Sequence, residues 1–202
     1  HPELRRILVP FLSVWLTLLS SAGYALTPQQ VADITNRYAR SIIALSDRNT
    51  GLPPSHYGHP GFENLTFVYD AGVTAMMLKQ AGKQAEAEKI VDYFVQRLRI
   101  PLNEANQNKD ANGTYGILKL FENRLGLING IDRTSTKRQG QGQLEYWTTP
   151  GPLSFIIMSM LDVNQNKYRN DAILLGNTLL SMQRPDGGVI DGDRTPGRIH
   201  TE

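Results

Sequence analysis

A lone carboxylate interrupts the run FVYDAGVTAMMLKQ: Asp70, preceded by Tyr69 and flanked by apolar residues on almost every side. A charge in such a setting needs a partner or a task, because burying it unpaired is costly. At the start of a helix the backbone dipole favours its ionised form, and from there it can accept a hydroxyl or act as a general base. The plain alternative is an N-terminal acid that only complements the dipole. A second acid, Glu202, follows His200 by two residues at the end of the sequence. Two carboxylates facing each other across a cleft can divide the acid and base roles of a hydrolysis between them. An ordinary helix-start acid is the other reading of Glu202. Asp186, Asp191 and Asp193 stand in a glycine-rich loop, where aspartates either cap turns or reach a substrate. Tyr146 and Trp147 precede another apolar segment, as a stacking platform for a ligand or as packing on a rim.

Other chemistries find less support. His56, Tyr57 and His59 are candidates to line a cleft, but no acid or histidine stands at ligand spacing from them, so no metal site is expected. The segment NKDANG opens like a calcium loop, yet Lys119 occupies the twelfth position where a glutamate belongs. GQGQ at Gly140 lacks the lysine of a phosphate loop, and no GxSxG elbow is present. There are no cysteines, which excludes disulfides and thiolate chemistry. The net charge is +2 with Lys and Arg scattered, so no nucleic-acid partner is expected. No cofactor is called for.

These residues need elements to position them. Residues 63–99 read as a helical pair: a first half apolar all round, as a helix surrounded by protein must be, and a second with Ala87, Ile90, Val91, Phe94, Val95 and Leu98 on one face and charges on the others. Gly82 lies at the turn between them. Residues 150–161 repeat the apolar theme, DVNQNK forms the turn, and an outer partner over 168–182 carries Tyr168, Ala172, Leu175 and Leu179 on one face. Residues 27–45 form another outer helix, with Thr27 as N-cap and Pro28 at the first position. The order is outer, inner, outer, inner, outer. Antiparallel alternation then sends the long loops, 46–63, 100–149 and 183–202, to one end, which is the functional face. Within the second loop NEANQNKDANG reads as polar loop, and GTYGILKLFENRLGLINGID as short strands or a one-turn helix. NTGLPPS, ANGTYG and PDGGVID share a polar-glycine-apolar theme, a weak divergent repeat.

Residues 1–25 combine Arg5 and Arg6, an apolar run and a small-residue end at Gly23 and Ala25, the pattern of a signal peptide; an uncleaved anchor is the alternative. A periplasmic or secreted protein is therefore expected, with no membrane partner once the signal is removed. Residues 26–202 are expected to be the N-terminal part of a longer domain, since His1 is not an initiator methionine and Glu202 stops short of another helix.

The alternation of inner and outer helices, together with FVYDAGVTAMMLKQAGKQAEAEKIVDYFV, LLSMQRPDGGV and the closing HTE, resembles the α/α toroids of the six-hairpin glycosidase-like superfamily. The resemblance implies an all-α partial toroid of about two and a half hairpins. It implies an exported carbohydrate-active enzyme, a glycoside hydrolase acting on a polysaccharide or oligosaccharide through carboxylate acid/base catalysis. Asp70 and Glu202 would be catalytic, and Tyr69, Tyr146, Trp147, Asp186 and His200 would bind substrate. A polysaccharide lyase on the same toroid, with Tyr69, His56 and His200 in the leading roles, and a non-catalytic glycan-binding protein are the alternatives.

Overall fold

The structure, a computed structural model, describes residues 26–58, 62–109, 114–121, 124–134, 143–145 and 148–190. It divides into two compact units at Leu45. The first contributes helix α1 (Pro28–Leu45). Its start is a reciprocal cap: Thr27 Oγ1 accepts the Gln30 N–H at 3.2 Å, and Gln30 Oε1 accepts the Thr27 N–H at 2.8 Å. The proposed signal segment, 1–25, lies outside the described residues. Among those described, no helix is long and apolar enough to cross a membrane.

The second unit begins with β1 (Leu65–Phe67), which runs without a break into helix α2 (Val68–Gln80). The sequence pattern reads residues 63–99 as the helical pair. The structure starts the helix at Val68 instead, because Leu65, Thr66 and Phe67 pair antiparallel with Asp132, Ile131 and Gly130. A partner strand from a distant segment decides the local conformation. Gly82, at φ 72°, turns the chain into α3 (Gln84–Leu98), on which all six residues of the expected apolar face are buried. A second correction follows: α4 (Leu102–Asn108) is a short helix where polar loop was expected. Its Ala105 is buried, and Tyr115 donates its hydroxyl to Glu104 Oε1 at 3.0 Å, tertiary contacts that its polar composition conceals.

The loop segment then forms short strands, as its glycine-bounded pieces suggest. They are β2 (Thr114–Tyr115), β3 (Leu118–Phe121), β4 (Arg124–Leu127), β5 (Gly130–Asp132) and β6 (Gln143–Glu145). The first three make an antiparallel meander, and β5 lies between β1 and β6 in a second sheet. Gly116, at φ 61°, begins the two-residue link between β2 and β3.

Helix α5 (Pro150–Ser181) contains the second hairpin. Asn164 alone leaves helical geometry, at φ −159° and ψ 85°, so the turn expected across DVNQNK is condensed to one residue. The inner half, 150–163, lies against α2, and the outer half lies against α3. Lys79 bonds to Asp162, with Nζ to Oδ1 at 2.9 Å, and Gly72 meets Phe155 at the same offset of 83 residues. A constant positive offset means the two inner helices run parallel. The outer helices do the same: Lys167 bridges Glu88 and Asp92, each at 3.0 Å, and Arg99 grips Asp171 through two bonds. Successive hairpins therefore stack side by side in one sense, the arrangement of an α/α toroid, of which the chain forms a part.

The long connections gather at the inner-helix N-termini, as the alternation requires. Asn129 O accepts the Val68 N–H at 3.0 Å, and Leu125 O accepts the buried Thr178 hydroxyl at 2.7 Å near the end of the outer half of α5.

Two outcomes test this packing. A Cβ on Gly72 would stand 2.8 Å from the Phe155 carbonyl oxygen, so Gly72→Ala is expected to destabilise the protein by about 1–3 kcal/mol despite alanine's better helix propensity. Chemical denaturation measures it, and an unchanged midpoint would mean the helices separate at no cost. Hydrogen bonds from Gln84, Lys167 and Asn164 hold the Glu88 carboxyl down at about 2 from 4.5. Its contribution is complete above 4.5 and lost as pH falls toward 2. Lys167 is part-exposed and screened, so Lys167→Met should cost about 0.5–1 kcal/mol at pH near 7 and nothing near the lower limit. Melts across that range check it.

Candidate active site

The start of α2 is built by three separate stretches of chain. Phe67, in extended geometry at φ −79° and ψ 138°, is the N-cap but has no side-chain oxygen to offer. The exposed backbone donors are taken elsewhere: Val68 N–H by Asn129 O, and Phe67 N–H by Ser55 Oγ at 2.7 Å. Ser55 is itself tied to β1, since its N–H donates to Leu65 O at 2.8 Å and Thr66 Oγ1 donates to Pro53 O. Residues 53–55 thus line the edge of β1 opposite β5.

Asp70 sits in the first turn above this clamp, half-buried. The Ser55 hydroxyl donates to its carboxylate, and His56 stands close enough to act on it electrostatically. Burial pushes the Asp70 carboxyl above its ordinary range, and Ser55 and His56 offset only part of that rise. The His56 ring packs on Phe62 at 5.5 Å and edge-on against Phe67 at 5.9 Å. Tyr69 lies edge-on to Phe155 at 4.3 Å, and burial together with the neighbouring Asp70 charge raises its phenol. A carboxyl that holds its proton more tightly than usual, beside an imidazole and a phenol at the loop-bearing end of a helix barrel, has the equipment for acid/base chemistry.

Asp70, Tyr69 and His56 are therefore brought together. Asp186 is not among them. It is exposed, its Oδ1 accepts the Gly188 N–H at 2.9 Å and its Oδ2 pairs with Arg184 at 2.7 Å, so both oxygens serve the turn that ends the second hairpin. Gly187 supplies the positive φ, 86°, that this turn requires. Asp47 plays a comparable part after α1, accepting the N–H groups of Asn49 and Thr50. Tyr146, Trp147, His200 and Glu202 lie outside the described residues, as do His59, Asp191 and Asp193. Among the described residues no three histidine or acidic side chains come together as metal ligands would. Ser55 escaped the sequence reading. Its only signal is the preceding Pro53-Pro54 pair, which holds the chain extended as it approaches β1.

No protein-family model matches the chain, and no curated protein resembles it in sequence. Solved structures do resemble it in shape. The endo-β-1,4-glucanase CMCax of Acetobacter xylinum superposes over 81% of this chain with a TM-score of 0.52 at 12% identity. An unsaturated glucuronyl hydrolase, with the oligosaccharide dGlcA-Glc-Rha-Glc, aligns over 82% at 11% identity with a TM-score of 0.49. The chain spans 45% of the length of the first and 43% of the second. The glucanase likeness establishes the fold, a six-hairpin α/α toroid of which this chain supplies a part.

The raised Asp70 carboxyl fixes the sign of a pH effect. Its ionised form costs stability above its own titration range, and that cost disappears below the ordinary carboxylate range. Asp70→Asn should therefore melt at or above the wild-type temperature near neutrality, with the advantage shrinking as the solution is acidified. A lower melting temperature at neutral pH would show that the charge stabilises the fold.

Proposed function

We propose that this chain carries part of the active site of an exported carbohydrate-active enzyme, a glycoside hydrolase in which Asp70 is a catalytic carboxyl. The observation that carries the reading is Asp70 itself: a half-buried carboxyl, its titration raised, in the first turn of an inner helix at the end where the long loops gather. Tyr69 and His56 flank it. The second carboxylate that hydrolysis requires is assigned to Glu202, with His200 beside it, and Tyr146 and Trp147 are assigned to sugar stacking. Asp186 is assigned to the rim of the site, its carboxylate holding the turn. Export through the leading 25 residues places the enzyme in the periplasm or outside the cell, where polysaccharide is met. The glucanase likeness supports a β-1,4-linked glucan as the first substrate to try.

The Ser55 hydroxyl does not make a serine nucleophile. Its oxygen accepts from the Phe67 N–H and its proton goes to Asp70, so it is not activated by His56. A lyase using Tyr69 as base is the second reading, favoured by the packing of Tyr69 against Phe155 beside Asp70, although a raised phenol is harder to ionise.

The test is turnover of carboxymethylcellulose by the full protein, followed by new reducing ends and by ultraviolet absorbance of unsaturated sugar. Asp70→Asn should lower turnover by about 10²–10⁴-fold without loss of fold. Unchanged turnover removes Asp70 from the mechanism, and an absorbing product would transfer the assignment to a lyase.

A further inference from the structure

Ser55 is held through both its backbone and its side chain. Its N–H is bonded to Leu65 O, its Oγ accepts the Phe67 N–H at 2.7 Å, and the adjoining Pro53 carbonyl is held by Thr66 Oγ1. A serine hydroxyl has one proton, and with a backbone donor occupying the acceptor side of Oγ that proton is aimed away from Phe67. The group waiting there is the Asp70 carboxylate, one turn into the helix. The clamp thus ties the first turn of α2, the edge of β1 and the 46–64 loop through a single oxygen atom.

We infer that Ser55 is a positioning residue for Asp70, fixing the orientation of its carboxyl and the oxygen on which its proton rides. The inference rests on the reading of Asp70 as a catalytic carboxyl. A carboxyl that must present one oxygen to a substrate gains from having the other held by a donor that cannot rotate away. The other titratable groups acting on Asp70 are His56, from the same loop, and Tyr69 on its own helix. Phe155, which α5 brings to this corner, carries no charge. Ser55 is also the neutral donor of the set, so its contribution persists at every pH at which the fold survives.

The experiment titrates Asp70 directly, by carboxyl-carbon NMR of the full protein labelled at aspartate, with Asp70→Asn identifying the resonance. Ser55→Ala should move the Asp70 midpoint upward, since the donor to the charged form is lost, and Ser55→Thr should leave it near wild type. On carboxymethylcellulose the same Ser55→Ala change should lower kcat about five- to tenfold, with KM within about twofold. The pH limb that Asp70→Asn abolishes should shift in the direction of the NMR midpoint. A folded Ser55→Ala protein with an unmoved midpoint overturns the inference. If Ser55→Ala does not fold, Ser55→Cys, a weaker donor, should give a smaller upward shift, and no shift overturns the inference equally. Should Asp70→Asn leave turnover intact, the functional reading falls, while the NMR arm still reports whether Ser55 holds the carboxyl.

Discussion

Everything in the second unit depends on how closely its two inner helices approach. At Gly72 the backbone of α2 comes within reach of the Phe155 carbonyl, with no room for even a methyl group between them. That contact sets the spacing and the register of the hairpins, and the offset of 83 residues recurs where Lys79 meets Asp162. Dispersion between surfaces this close is strong because so many atoms lie at optimal distance. It also leaves little tolerance, and the residues around it, Ala71, Ala75, Leu153 and Ile156, are almost wholly buried.

The helix N-terminus just before that contact cannot cap itself. Phe67 stands where a serine or aspartate would ordinarily serve. The N–H groups of Phe67 and Val68 are instead taken by Ser55 and by Asn129, 12 residues before the first and 61 after the second. The long loops are thereby fastened to the helix they surround, and the Asp70 carboxyl in its first turn is held by the same fastening. Local deficiency at a helix start has become a device for assembling a site from remote pieces of chain.

How much of this the sequence discloses follows from the range of each interaction. Amphipathic α3 was legible residue by residue, because the burial of Ala87, Ile90, Val91, Phe94, Val95 and Leu98 follows from a local period of 3.6. Tyr168, Ala172 and Leu175 were legible for the same reason. The alternation of wholly apolar and half-polar segments gave the layers and the end at which the loops meet. The strand at Leu65–Phe67 was not legible, since its partner lies more than 60 residues away, nor was α4, whose polar sequence hides one buried alanine. In the candidate site, Asp70 stood out as a charge in an apolar run. Ser55 did not, because a serine after two prolines reads as ordinary loop until its partners are known. Asp186 shows the converse: its glycine-rich surroundings fitted a turn-capping role as well as a binding one, and the geometry supplies the turn.

The parallel stacking of hairpins divides the molecule into parts that can change and parts that cannot. The contacts between Lys79 and Asp162 and between Glu88 and Lys167 join helix to helix, and neither draws on the connections at the loop-bearing end. A loop there can grow at little cost to these contacts, since doubling the length of a flexible connection adds only about 0.6 kcal/mol of closure entropy. The two ends already differ in this way: the turn at Asn164, on the opposite end, is a single residue, whereas the connection between α4 and α5 carries five short strands. Such a scaffold is suited to divergence: the connections at that end can be rebuilt, lengthened or exchanged while the helical frame beneath keeps its register.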